Sequence, residues 1–318
     1  MRGWGPKVAS IRGGGCYRWG MTRTHLLAFR PPLEWRAMLS YLAARATPGV
    51  EAVTPEDGGR YWRSVRLGGR RGWIVAGRAR RGHALEVEVS PGLAPVLVRL
   101  IARLRRLFDL DAAPELIAAH LSTDARLAPL VAVRPGLRIA GTADRFELAV
   151  RAVLGQQVSV RGASTLAGRV AALLAEPLPE APAALKTQPI TAERIAEAGT
   201  RLLMDAGLTR ARAECLVALG RATADGALPE LSGDNSTGDP AGFTERFTSL
   251  PGIGAWTAEY VAMRALGWPD AFPDSDLGLR KAAGEMAPAR LRAMAERWRP
   301  WRSYAAQHLW ASLGAPVH

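Results

Sequence analysis

Asp276, Trp256 and Tyr260 carry the chemistry most visible in this sequence, and they fall in one stretch, LPGIGAWTAEYVAMRALGWPDAFPDSDLGL, from Leu250 to Leu279. A carboxylate such as Asp276 can stabilise developing positive charge and orient water. It stands just before LGLR, where capping a helix is the structural alternative, and Asp270 and Asp274 compete for the role. Trp256 and Tyr260 are four apart and share a helix face. Such a wall attracts a flat or cationic ring, although core packing is the ordinary use of any single Trp. In Pro251-Gly252-Ile253-Gly254 the glycines allow a sharp turn and close approach of the backbone. The N–H groups that follow, from Gly254 and Ala255, open a helix and suit a phosphate. The carbonyls of Thr248, Leu250 and Ile253 could hold a cation.

These residues need a scaffold, and composition bounds it. The chain has 318 residues, 48% of them hydrophobic, which suffices for two or three domains with a sizeable core. No apolar run approaches a membrane span, and the first twenty residues lack a signal-peptide core. The net charge of +13 favours a polyanionic partner. Its cations are nearly all arginine, which suits phosphate but also follows from GC-rich coding. Cys16 and Cys215 are the only cysteines, too few for a disulfide framework, a zinc ribbon or a four-cysteine iron–sulfur site.

Residues 1–21 are expected to be a disordered extension and 22–133 an α+β domain. In the latter, 34–45 has helical periodicity, and strand-like runs cover 60–67, 73–78 and 84–89, separated by glycines. Residues 94–108 form an amphipathic helix whose Arg99, Arg103 and Arg105 face solvent or DNA. From 134 to 318 the pattern is helical, with loops at 177–189 and 225–242. Helices are expected over 144–154 and 163–174, from 191, in a next helix ended by 207–208, and over 209–223, 243–250, 255–266, 276–283, 288–297 and 301–313.

LPGIGAWTAEYVAMRALG followed by FPDSDLGLR resembles the helix-hairpin-helix-Gly/Pro-Asp superfamily of DNA glycosylases, and within it the AlkA-type 3-methyladenine DNA glycosylases. RPGLRIAG (134–141), GQQVSV (155–160) and ERWRPWRSYAAQHLW (296–310) resemble the same subfamily. So do LAARA, SPGL and RLFDLD earlier in the chain, and the likeness spans roughly 25–314. It implies a mostly α protein: an antiparallel, TATA-binding-protein-like α+β domain, then helical subdomains with the active site in the cleft between them. It implies Asp276 as the catalytic carboxylate, acting on an oxocarbenium-like transition state. Trp256, Tyr260, Trp310 and Tyr41 become the base pocket, Gln157 the wedge that fills the stack, and Gly252, Gly254 and Ala255 the backbone grip. Strand-cutting relatives carry a Schiff-base lysine where this chain has Trp256. The implied protein is therefore a cytoplasmic, nucleoid-associated bacterial monomer that hydrolyses alkylated bases from duplex DNA without a cofactor, a lyase step or a membrane. Uracil or hypoxanthine excision and non-catalytic DNA binding are the alternatives.

Overall fold

The computed structural model describes residues 22–55, 58–232 and 239–314, so the expected extension at 1–21 lies outside the described residues. The chain opens with β1 (Arg23–Ala28), α1 (Trp35–Arg45), β2 (Glu51–Thr54), β3 (Arg60–Leu67), β4 (Arg70–Arg78) and β5 (Ala84–Val89). A 3-10 turn (Pro91–Val96) then leads into α2 (Leu97–Leu107). The strands form one sheet in the order β1-β5-β4-β3-β2, every pair antiparallel. Alternation decides which face is inside: Leu85, Val87 and Val89 are buried, while Glu86 and Glu88 between them are half-buried. The inner face joins Trp35, Met38 and Leu42 of α1 and Leu100, Leu104 and Leu107 of α2 in the main core.

The remainder is helical: α3 (Pro114–Leu121), α4 (Ala128–Val133), α5 (Arg145–Leu154), α6 (Val160–Leu174), α7 (Ala192–Asp205), α8 (Arg210–Ala224) and α9 (Pro229–Ser232). There follow α10 (Pro240–Thr248), α11 (Ala255–Ala265), α12 (Leu277–Ala282), α13 (Pro288–Ala295), a 3-10 turn (Glu296–Trp298) and α14 (Arg302–Ser312). Asp144, Ser159, Thr191 and Thr209 each accept a hydrogen bond from the backbone N–H three residues on, which fixes where four of these helices start. No helix among the described residues is long and apolar enough to cross a membrane.

Several elements differ from the sequence expectation. β2 is a four-residue edge strand, too short to show alternation, and β4 starts at Arg70, ahead of its apolar run. The short helices α3, α4 and α9 carry too few turns for a periodic signal. The 177–189 loop lies on the outer face of the sheet, where Leu185 packs on Trp73 and Val75. Of Arg99, Arg103 and Arg105, only Arg99 is exposed. Arg103 donates to the Ala143 carbonyl at 3.0 Å, and Arg105 to Asp111 and the Ala28 carbonyl at 3.0 Å each. Those two are staples between elements rather than a solvated face.

The sheet is joined to the helices by buried charge. Arg63 on β3 donates to both Glu51 on β2 and Glu147 on α5, and Arg151 on α5 reaches Glu51 at 2.9 Å. Burial acts to raise both carboxyls. Arg63 and Arg151 overcome it at Glu51, which lies below the usual range, while Glu147 stays above it. A second junction joins Asp109, after α2, to the C-terminal helix: its carboxylate accepts from Ile139 N–H at 3.1 Å and from the Tyr304 hydroxyl at 2.9 Å.

Asp109 and His308 give stability opposite pH dependences. Burial pushes the Asp109 carboxyl up to about 6 against the pull of Ile139, Tyr304 and Arg138. Burial pushes His308 down to about 4 against its bond to Leu130. Between about pH 4 and 6 the folded state holds the Asp109 proton that the unfolded chain has lost, so this stabilisation fades as pH rises. The unfolded chain meanwhile protonates the histidine that the folded state keeps neutral, so stability is lost as pH falls. The two slopes, each about 1.4 kcal/mol per pH unit, oppose each other. Chemical denaturation across this window should give a stability-versus-pH slope more positive than wild type for Asp109→Asn and more negative than wild type for His308→Gln; slopes equal to wild type in both would refute the assignment.

Candidate active site

The hairpin consists of α10, the turn at 250–254 and α11. Gly252 holds φ +79°, a region that favours glycine, and a Cβ there would meet Cys215 Cβ at 3.2 Å. The Cys215 thiol is buried, and burial raises it to about 11, so this sulfur packs rather than reacts. α11 has no side-chain cap at Gly254, and its first backbone bond is Ala258 N–H to the Gly254 carbonyl. The N–H groups of Ala255, Trp256 and Thr257 therefore begin the helix without intrahelical partners. A Cβ at Gly254 would meet nothing within 4 Å, so the turn is open to a large ligand. The neighbouring GQQ segment braces it: Gln156 Nε2 donates to the Gly252 carbonyl at 2.9 Å and to the Thr257 hydroxyl at 3.0 Å. Gln157 is exposed beside it at φ +57°.

A cleft of about 900 Å³ runs from this turn past Trp256, Tyr260 and Asp276 to Tyr41 on α1 and the Arg63 charge network. Asp276 is half-buried at its wall, and it is both the N-cap of α12 and the acceptor of two indoles. Oδ1 takes Leu279 N–H at 2.8 Å and Trp310 Nε1 at 2.8 Å; Oδ2 takes Trp256 Nε1 at 2.9 Å. The competing acids are committed elsewhere. Asp274 pairs with Arg292, and Asp270 with Arg299 and Arg302 at 2.9 and 2.8 Å. Neither lines the cleft.

The loop carrying Asp276 is fixed from both sides. Phe272 N–H donates to Glu259 of α11 at 2.9 Å. The Ser303 hydroxyl at the start of α14 donates to the Trp268 and Ala271 carbonyls at 2.8 and 2.7 Å. Seven residues on, along the same helix face, Trp310 then meets the carboxylate. Gly278 leaves room for that meeting, because a Cβ there would lie 3.0 Å from Asp276 Oδ1 and 3.1 Å from Trp310 Cδ1.

The expected pocket residues divide. Trp256 and Tyr260 stack with centroids 5.3 Å apart and planes 14° from parallel, and the Tyr41 hydroxyl lies 2.8 Å from that of Tyr260. All three line the cleft. Trp310 does not: it has no exposed surface, and its indole serves as a donor that positions Asp276. Trp35 and Trp298 are core, and Trp301 packs partly buried against it. The Leu250 carbonyl accepts Ile253 N–H at 3.2 Å, which leaves a second lone pair free. No group of three or more His, Cys, Asp or Glu that could hold a metal occurs among the described residues. Two contributors went unread in the sequence: Gly278 and Arg264. Arg264 follows Tyr260 by four residues, a spacing that places it on the Trp256–Tyr260 face, and its guanidinium lies 5.1 Å from the Tyr260 ring centre.

Helix-hairpin-helix turn, aromatic cleft and capping aspartate together form the architecture of the helix-hairpin-helix DNA glycosylases. Residues 24–144 match the AlkA N-terminal domain. The chain is 39% identical over 290 residues to DNA-3-methyladenine glycosylase 2 of Escherichia coli K12, covering 91% of this chain and 98% of that protein. It is 42% identical to a probable bifunctional transcriptional activator/DNA repair enzyme AlkA of Mycobacterium tuberculosis, spanning 92% of this chain and 57% of that longer protein. Among solved structures, a 3-methyladenine DNA-glycosylase from Archaeoglobus fulgidus superposes with a TM-score of 0.75 at 25% identity, covering 90% of this chain and 97% of that one. The chain belongs to the AlkA family of DNA-3-methyladenine glycosylases.

If Trp310 and Gly278 hold the carboxylate in place, Trp310→Phe should lower single-turnover base release about tenfold or more while DNA affinity stays near wild type. Gly278→Ala should act in the same sense. An unchanged release rate in both variants would separate this geometry from catalysis.

Proposed function

We propose that this protein is a monofunctional DNA glycosylase that hydrolyses alkylated bases, 3-methyladenine and 7-methylguanine among them, from duplex DNA. The observation that carries the reading is Asp276: a carboxylate at the cleft wall, held by three N–H donors beside the Trp256–Tyr260 stack. Cleaving the N-glycosidic bond builds positive charge on the sugar. A carboxylate fixed before the reaction stabilises that charge without reorganising. Oδ1 already takes two donors and Oδ2 one, so Oδ2 has the lone pair to face the sugar carbon or its attacking water. The target base leaves the stack to reach this acid. An alkylated purine, cationic and electron-poor, is suited to the indole and phenol faces of the cleft.

The N–H groups at Gly254 and Ala255 grip the phosphate backbone, and the carbonyls of Thr248, Leu250 and Ile253 form a seat for a monovalent cation beside it. Gln157, exposed on a strained backbone at the cleft rim, fills the space that the base vacates. No lysine lines the cleft among the described residues, and Trp256 stands at the Schiff-base position, so water is the nucleophile. The protein acts as a monomer on DNA. Its functional units are the sheet with α1 to α4, and the later helices. We set the boundary between the α+β unit and the helical unit near residue 134, and the bond from Trp298 to Asp124 at 3.0 Å ties the two together.

Purified protein should release methylated purines from methylated duplex DNA and leave strands that break only after alkali. Asp276→Asn should lower release at least about a hundredfold and keep DNA binding in a gel-shift titration. Wild-type turnover in that variant would remove Asp276 from the chemistry.

A further inference from the structure

The hydroxyls of Tyr41 and Tyr260 meet at 2.8 Å in the cleft that Asp276 also lines. Each residue is nearly buried, 6% and 9% exposed. Two hydroxyls carry two hydrogens, and the bond between them uses one. Among the described residues no acceptor is recorded for the other. A buried O–H without an acceptor is costly, so the second hydrogen is available to whatever enters the cleft.

Its surroundings make it a strong donor. The Arg264 guanidinium lies 4.3 Å from the Tyr41 ring centre and 5.1 Å from that of Tyr260. Arg45 lies 4.2 Å from the Tyr41 ring centre. Cations against a phenol face draw charge from its oxygen and favour donation over acceptance. Burial raises both hydroxyls. At Tyr260, however, Arg264, Arg45 and the bond with Tyr41 together outweigh it, and that hydroxyl lies below the ordinary tyrosine value, while Tyr41 lies above. Either hydroxyl can donate to the other; with Tyr41 as the donor, the Tyr260 hydrogen is the one left for the cleft.

We propose that the Tyr260 hydroxyl, backed by Tyr41, donates a hydrogen bond to a ring nitrogen or carbonyl oxygen of the purine as it leaves. This rests on the excision reading above. When the glycosidic bond breaks, its electron pair goes to the base. A cationic alkylpurine becomes neutral on departure, whereas a neutral purine becomes an anion and depends more on a donor. The pair is thus a leaving-group donor, in addition to any stacking by its rings, and it sets how far the enzyme acts on uncharged purines. The structural alternative, a bond that only joins α1 to α11, affects both kinds of base alike.

Single-turnover release from duplexes containing one 7-methylguanine or one hypoxanthine separates the two. In Tyr260→Phe the hypoxanthine rate should fall about tenfold further than the 7-methylguanine rate. Tyr41→Phe, which weakens the donor without removing it, should shift the ratio in the same direction by less. The methylguanine rate in the same preparations reports the fold and the excision reading. An unchanged ratio in both variants overturns the proposal, as does a wild-type enzyme that releases methylguanine but no hypoxanthine. Failure of the wild type to release either base overturns the excision reading itself.

Discussion

A carboxylate must be held still at the edge of an apolar cleft, and most of this architecture follows from that requirement. Partial burial takes away some of the water that would solvate Asp276, and two indoles with one backbone N–H replace it. Each donor comes from a different element: Trp256 from the hairpin helix, Leu279 from the helix that Asp276 itself caps, and Trp310 from the last helix. The acid is therefore in register only when the hairpin and the C-terminal helix are both docked. Ser303 ties that last helix to the acid's loop, and Glu259 ties the loop to the hairpin. The cap that starts α12 and the group proposed to face the sugar are one side chain, so local helix formation and site geometry are coupled.

The same dependence extends to the α+β unit. Tyr41 reaches the cleft from α1, and its hydroxyl pairs with a residue of the hairpin helix more than two hundred positions away. That contact is secured by the Arg63 network. Two carboxylates and two guanidiniums are costly to bury, and the cost is recovered only when sheet and α5 meet in one register. A slipped interface would strand a charge, so the network selects the docked arrangement more than it adds stability.

The cleft combines opposite electrostatic features. Indole and phenol faces favour a cation, while Arg45 and Arg264 approach the tyrosines and make their hydroxyls better donors. The carboxylate lines the same cleft, bonded to the Trp256 indole. A flipped nucleotide would thus meet negative charge at its sugar and hydrogen-bond donors at its base, which matches the polarity of a glycosidic bond as it breaks.

Much of this was legible in the chain. Alternation in LEVEV, the capping residues, the glycine turn of the hairpin and the position of Asp276 before LGLR are local signals, because a backbone dihedral or a helix start depends on near neighbours. The order of motifs identified the superfamily. Short β2, α3 and α4 were missed because a few residues hold no period, and Arg103 and Arg105 looked solvated because their carbonyl partners are remote in sequence. Sequence alone settled the kinds of group available: a carboxylate, rings, a backbone turn, and no lysine at position 256. Only the tertiary structure decided that Trp310 is a buried donor to Asp276 rather than a pocket wall, that Asp270 and Asp274 are tied to arginines, and that Tyr41 and Tyr260 share a hydrogen bond. Hydrogen bonds form within about 3 Å, and no spacing along a chain specifies which distant donor will come that close.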